Sequence, residues 1–190
     1  MNEFERDDEF QRVVRDHLLK PFYARHSHEG RFVFADKGQL STILQRELSV
    51  DTVMQVPGNK LVGVEEKIVR WKGRVYSAYT LETISCTIPG RERKGWMYTA
   101  RCDVLMYCFG QEDESLLIHA IAFPPLQRWF FENDRYLQYA ATRTDQINQT
   151  ECRVVPIADV WGGLRGCRAY HLTGPVGEVE LQRPLDSRTR

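Results

Sequence analysis

Asp51 and, fourteen residues later, Glu65-Glu66-Lys67 are the residue types and spacing in this chain best suited to chemistry. The second group interrupts an apolar, strand-like run over 61–71. Strand side chains alternate between faces, so Glu65 and Lys67 share one face and Glu66 takes the other. A carboxylate and an ammonium on one face of an apolar strand are costly to bury without a use or a partner. Asp51 opens the preceding stretch, 51–56, and Pro57-Gly58-Asn59-Lys60 supplies the turn chemistry that folds it back as a hairpin. Two carboxylates and a lysine then converge. Hard divalent cations such as Mg²⁺ or Mn²⁺ take oxygen ligands and keep several waters, so the pattern predicts a cation site with Asp51 and Glu65 as ligands. The alternative is a structural Glu65–Lys67 ion pair on an edge strand, with Glu66 in a surface or helix contact.

An acid at the start of one strand, a turn, and Glu65-x-Lys67 on the next resembles the PD-(D/E)XK nuclease superfamily, notably its small members from phages and mobile elements. The likeness continues over about 38–139. A third strand carries Glu82, a Gly95-Trp96 segment follows, and Asp103 opens an aromatic strand. Val50 stands where many members have proline. The resemblance implies an α/β (α+β) fold, with a central mixed β-sheet flanked by helices and a restriction-endonuclease-like core. It implies metal-dependent hydrolysis of phosphodiester bonds in nucleic acid, DNA before RNA. Asp51 and Glu65 would hold Mg²⁺ or Mn²⁺, Lys67 would serve as base or charge stabiliser, and Glu82 as an auxiliary acid. A homodimer is compatible with it. The rival reading is a non-catalytic protein- or nucleic-acid-binding protein on the same scaffold.

Phosphate contacts need basic side chains, and a splayed base needs an aromatic face. Arg91, Arg93 and Lys94 lie in one Gly-flanked loop, with Trp96 adjacent and Arg101 close by. Their alternative is a solvated loop with Trp96 in the core. Arg25, His26, His28 and Arg31 form a second basic patch; His26-x-His28 lacks a third ligand for a transition metal. Gln45 and Glu47, just before Asp51, read mainly as solvent-facing.

The 190 residues suit a single domain, with its core over about 38–139 and with 1–20 and 150–190 as additions. Net charge is zero, from 26 basic and 26 acidic residues, so any nucleic-acid face must be a local patch and not a property of the whole chain. Five cysteines without a C-x-x-C pair read as reduced thiols in a cytoplasm. No apolar stretch reaches the roughly 20 residues of a membrane span, and the acidic N-terminus does not suit a targeting peptide. No G-x-S-x-G elbow, P-loop or dinucleotide fingerprint appears. The periodicity predicts helices to about Lys20, over 38–47 (Leu40, Ile43 and Leu44 on one face) and over 126–139 (Trp129, Phe130 and Leu137 inward). It predicts strands near 31–34, 51–56, 61–71, 76–86, 103–109 and 116–123, a strand and short helix over 154–161, and a polar tail from about Thr173.

Overall fold

Gly58 and Asn59 both adopt positive φ in the turn after Val56, the backbone that a tight hairpin requires. The hairpin pairs Thr52 with Val64 and Val56 with Lys60. It belongs to a larger sheet in a computed structural model that describes residues 3–35, 42–143, 149–174 and 177–181.

The strands are β1 (Phe32–Phe34), β2 (Thr52–Val56), β3 (Lys60–Val69), β4 (Ala78–Cys86), β5 (Arg93–Lys94), β6 (Val104–Gly110), β7 (Leu116–Ala122), β8 (Ala141–Arg143), β9 (Glu151–Pro156), β10 (Arg168–Leu172) and β11 (Glu178–Leu181). Seven form a mixed sheet in the order β1-β2-β3-β6-β7-β10-β11, and four form a second sheet, β5-β4-β9-β8. Within the first, β3 and β6 run parallel, from Val64 opposite Val104 to Val69 opposite Phe109, and the other pairings are antiparallel. The chain is thus mixed α/β with a central mixed sheet, as expected. β3 lies between β2 and β6, not at an edge.

Both faces of the large sheet are covered, and β6 reads accordingly: Leu105, Tyr107 and Phe109 enter one core, Met106 and Cys108 the other. The first core is closed by β4 and β9 (Tyr79, Leu81, Val155) and by the helices α4 (Phe123–Phe131) and α5 (Ile157–Gly163). Within it Tyr79 Oη lies 2.7 Å from His119 Nδ1 and accepts the Trp161 indole N–H at 2.9 Å. Burial pushes His119 down to about 4, so it stays neutral at ordinary pH. The second core is closed by α1 (Glu3–Val14) and α2 (Lys20–His26), with Val14, Leu19, Phe22 and Tyr23 inward.

Several expectations are corrected. The first helical stretch does not stop at Pro21. Arg15–Leu19 widens into a π-type turn, in which Lys20 N–H reaches Arg15 O, and Pro21 sits in the first turn of α2. A first-turn proline has no helical donor to lose, and the wide turn relieves its clash with the preceding carbonyl. The 76–86 strand does not continue the meander: β4 leaves for the second sheet, where its partner β9 is some seventy residues away in sequence. The 150–190 segment is no mere addition, since β9, β10 and β11 are members of the two sheets. α4 ends at Phe131, and a kinked 3₁₀ segment (Glu132–Gln138), with positive φ at Asn133 and Asp134, turns Leu137 outward to 56% exposure. Thr42–Glu47 is a π-type turn with Ile43 exposed. The rest of the predicted 38–47 helix, including Leu40, lies outside the described residues, as do 182–190 of the predicted tail. No helix among the described residues is long and apolar enough to cross a membrane.

Candidate functional site

Asp51 is anchored at both ends of its residue. Its N–H donates to Val64 O at 2.8 Å, and its Oδ2 accepts the Glu66 N–H at 2.8 Å. This double tie to β3 fixes the carboxylate beside Glu65. Its Oδ1 lies 3.4 Å from Arg15 Nη2, a residue of the π-type turn.

Strand alternation places the next three side chains as expected. Glu65 and Lys67 face the first core, where Lys67 Nζ donates to Glu65 Oε1. Glu65 is only 6% exposed. Burial pushes its carboxyl up to about 7; the Lys67 ammonium opposes that rise, and the nearby Asp51 carboxylate reinforces it. Burial pulls Lys67 down, but the Glu65 carboxylate outweighs it, and the ammonium is held above its ordinary range. The Lys67 side chain retains 31% exposure. Its Nζ also sits 5.0 Å over the Trp96 ring, a cation–π contact that limits its rotamers.

Glu82 comes from the second sheet and still converges on this point. Its Oε1 accepts the Trp96 N–H at 3.3 Å. Burial raises its carboxyl, with Lys67 foremost among the opposing groups. The approach depends on Gly95: a Cβ there would stand 2.5 Å from Glu82 O, so only glycine lets the short helix α3 (Trp96–Thr99) dock on β4. Cys102 borders Glu65 on the other side; burial, then the Glu65 carboxylate, pushes its thiol up to about 12, so it is no thiolate nucleophile.

Glu66 enters the opposite core and is buried, not on the surface. Its Oε1 accepts Tyr23 O–H at 2.7 Å and Thr52 O–H at 2.6 Å, and its Oε2 accepts Arg15 Nε–H at 2.9 Å. Arg15 therefore spans Glu66 and Asp51. Sequence reading missed it, and no local spacing signals it, because the contact to Glu66 crosses 51 positions.

The predicted nucleic-acid residues divide. Arg91, Arg93, Lys94 and Arg101 are exposed. Arg93 and Lys94 form β5, beside Ile84 and Cys86 on the Glu82 strand, and Lys94 Nζ lies 5.3 Å over the Tyr98 ring. Trp96, by contrast, is 8% exposed and belongs to the core, so it offers no free face to a base. In the second patch, Arg25 and His26 both bind Glu178, at 2.7 and 2.6 Å, and His28 lies 3.9 Å from Glu29. The patch is charge-neutralised and the two histidines do not converge. Gln45 is exposed, and the Glu47 side chain lies outside the described residues. Also beside the site, and missed by sequence, is a cleft of about 660 Å³ between α3 and α4 with Arg101 and Arg128 in its lining.

Among the described residues no three His, Cys, Asp or Glu side chains form a group that could hold a metal ion. The donor set does not suit an all-protein cage. It does suit Mg²⁺ or Mn²⁺ held by one or two carboxylates and otherwise by water. Compared with known proteins, the chain matches no family model, no curated protein and no solved structure. The nuclease resemblance therefore rests on Asp51, Glu65, Lys67 and their surroundings.

Proposed function

We propose that the protein is a metal-dependent phosphodiesterase acting on nucleic acid, DNA before RNA. The observation that carries this reading is Glu65. It is a buried carboxyl that bonds the Lys67 ammonium and is pressed against a second acid, Asp51. Buried acids with a strongly raised pKa and a specific charged partner concentrate at functional sites.

Asp51 and Glu65 would hold the ion. When bound, Mg²⁺ or Mn²⁺ polarises a phosphoryl oxygen and acidifies water. The remaining work falls to the chain. Arg15 and the Glu66 N–H fix Asp51. Lys67, held as an ammonium, stabilises negative charge developing on the phosphate, which favours that role over general base. Glu82 and Trp96 keep the ammonium in place. The five cysteines form no disulfide, which agrees with the cytoplasmic location proposed for the protein.

One observation favours the rival of a non-catalytic binding protein. Asp51 and Glu65 each already face a cationic side chain, Arg15 and Lys67, and two satisfied ion pairs require no metal.

The test is incubation with supercoiled plasmid and with end-labelled single-stranded DNA and RNA, in Mg²⁺, Mn²⁺ or EDTA. Wild type should cleave only with metal, and Glu65→Gln and Lys67→Met should each lose about 10²-fold or more, the loss typical of removing a group that stabilises transition-state charge. Absence of cleavage of every substrate in both metals would reject the reading in favour of the binding protein.

A further inference from the structure

We infer that the cleft between α3 and α4 seats an unpaired nucleic-acid strand, one base against Tyr98 and Phe131 and the flanking phosphates on Arg101 and Arg128. The inference rests on the phosphodiesterase reading and assigns its substrate class.

The cleft adjoins the carboxylate pair through its floor, Cys102 and Asp103. Asp103 N–H donates to Gly63 O at 2.8 Å, and Asp103 Oδ2 accepts the Gly63 N–H at 2.9 Å, two positions before Glu65 on β3. Cys102 borders Glu65 itself, close enough to feel its charge. Cys102 and Asp103 thus lie between the cleft and the strand that carries the candidate centre.

The walls are aromatic. The Tyr98 and Phe131 rings are 4.2 Å apart and inclined by 31°, and both are half-buried. The volume, about 660 Å³, falls in the range of about 300–1,000 Å³ usual for small-molecule sites. That accommodates a nucleotide unit and is far too small for a duplex. The two rings pack on each other and Lys94 lies over Tyr98, so they offer a base an apolar wall, and a base that enters the cleft must leave its own stack. A recessed aromatic wall thus selects an unpaired strand over an intact helix.

The lip is cationic. Arg101 Nη1 donates to Tyr98 O at 3.3 Å and Ala100 O at 3.0 Å, which holds the guanidinium at the edge; its remaining N–H groups can still reach a phosphate. Arg128 is exposed on α4 and forms no ion pair among the described residues. Lys94 adds a third charge above the Tyr98 ring. The acid in the lining, Asp103, is engaged by Gly63, and the Gln127 amide is committed to Met97 O at 2.7 Å. In a chain of zero net charge this is a local concentration of positive charge beside an aromatic wall. That combination complements a phosphate-linked base better than an acidic peptide, which has no use for the rings.

The test is fluorescence anisotropy with labelled oligothymidine of about 12 nucleotides, within the usual span of single-strand sites, and with a hairpin duplex of equal length. It is run in EDTA at several salt concentrations, with polyglutamate as competitor. Wild type should bind the single strand at least tenfold more tightly than the duplex. Arg128→Glu, which removes an exposed side chain and leaves the fold intact by circular dichroism, should weaken single-strand binding at least tenfold and flatten the salt slope by about 0.7 or more. Arg101→Lys should fall between. Equal affinity for the two probes, an unchanged Arg128→Glu, no binding, or displacement by polyglutamate would each overturn the assignment. Tight single-strand binding without cleavage in Mg²⁺ or Mn²⁺ would reject the phosphodiesterase and keep the cleft. Metal-dependent cleavage undisturbed by Arg128→Glu would do the reverse.

Discussion

Neighbouring residues on one strand, Glu65 and Glu66, have equal exposure, 6%, and opposite circumstances. Glu66 accepts hydrogen bonds from Arg15, Tyr23 and Thr52 and lies between the large sheet and the first two helices. Glu65 bonds the Lys67 ammonium and is pressed against a second acid, Asp51. A buried charge surrounded by donors is structural. A buried acid left with one cation and pressed by a like charge retains free acceptor capacity, and that capacity can serve a ligand. The two faces of β3 thus separate a role in holding the fold from a candidate role in chemistry.

The largest expected effect tests the structural face. Glu66→Ala leaves the Arg15 guanidinium and two hydroxyls without their acceptor, and breaking a buried pair in this way costs about 3–5 kcal/mol. Urea unfolding at neutral pH should register that loss. A loss under about 1 kcal/mol, the value of an exposed pair, would erase the contrast.

The opposite sign is expected one residue earlier. The folded-state pKa of Glu65 is raised from 4.5 to about 7. The group therefore contributes stability that is fully present below 4.5 and is lost as pH rises through about 7. Glu65→Gln escapes that loss. Its advantage over wild type should grow between these pH values and level off above them, at about 1–3 kcal/mol, since the full shift corresponds to about 3 kcal/mol and the stranded Lys67 ammonium offsets part of it. Unfolding curves at pH 5 and pH 8 decide it; a variant less stable than wild type at pH 8 would make Glu65–Lys67 a structural pair.

The smallest effect lies away from β3. Glu178 is held below its ordinary range: burial pushes it up, but the bonds from His26 and Arg25 pull it further down. Such a depressed carboxyl contributes stability above 4.5 that is lost as pH falls through its folded value. Glu178→Ala should cost about 0.5–1 kcal/mol, as partly exposed pairs do, with the difference from wild type shrinking in acid. A larger loss in thermal unfolding would promote this surface pair to the rank of the Glu66 network.

What was legible in the sequence was local. The Pro57–Lys60 turn and the two-residue alternation of β3 are short-range features, and they place Asp51, Glu65 and Lys67 together and Glu66 apart. What escaped was settled by contacts distant along the chain. β4 resembles the third strand of a meander, but its hydrogen bonds go to β9, and periodicity carries no information about a partner so far away. Pro21 is a valid stop signal overridden by a widened turn; Leu19 of that turn and Phe22 of α2 are held by the second core. Trp96 stands in a basic loop as a stacking residue would, yet Gly95 admits its helix to the interior. Arg15 and Arg128 lie on helices whose sequences say nothing of the residues they meet in space.

The central claim, that the Glu65 face of β3 seats a divalent cation, is tested most directly by calorimetric titration of Mn²⁺ into metal-free protein near pH 6.5, in two buffers of different ionisation enthalpy. A carboxyl that is partly protonated must release its proton to a metal, so the apparent heat should depend on the buffer. The account predicts one bound ion with proton release in wild type, and loss of both in Asp51→Ala/Glu65→Gln. Equal heats for wild type and the double variant, or no binding to wild type, would contradict it.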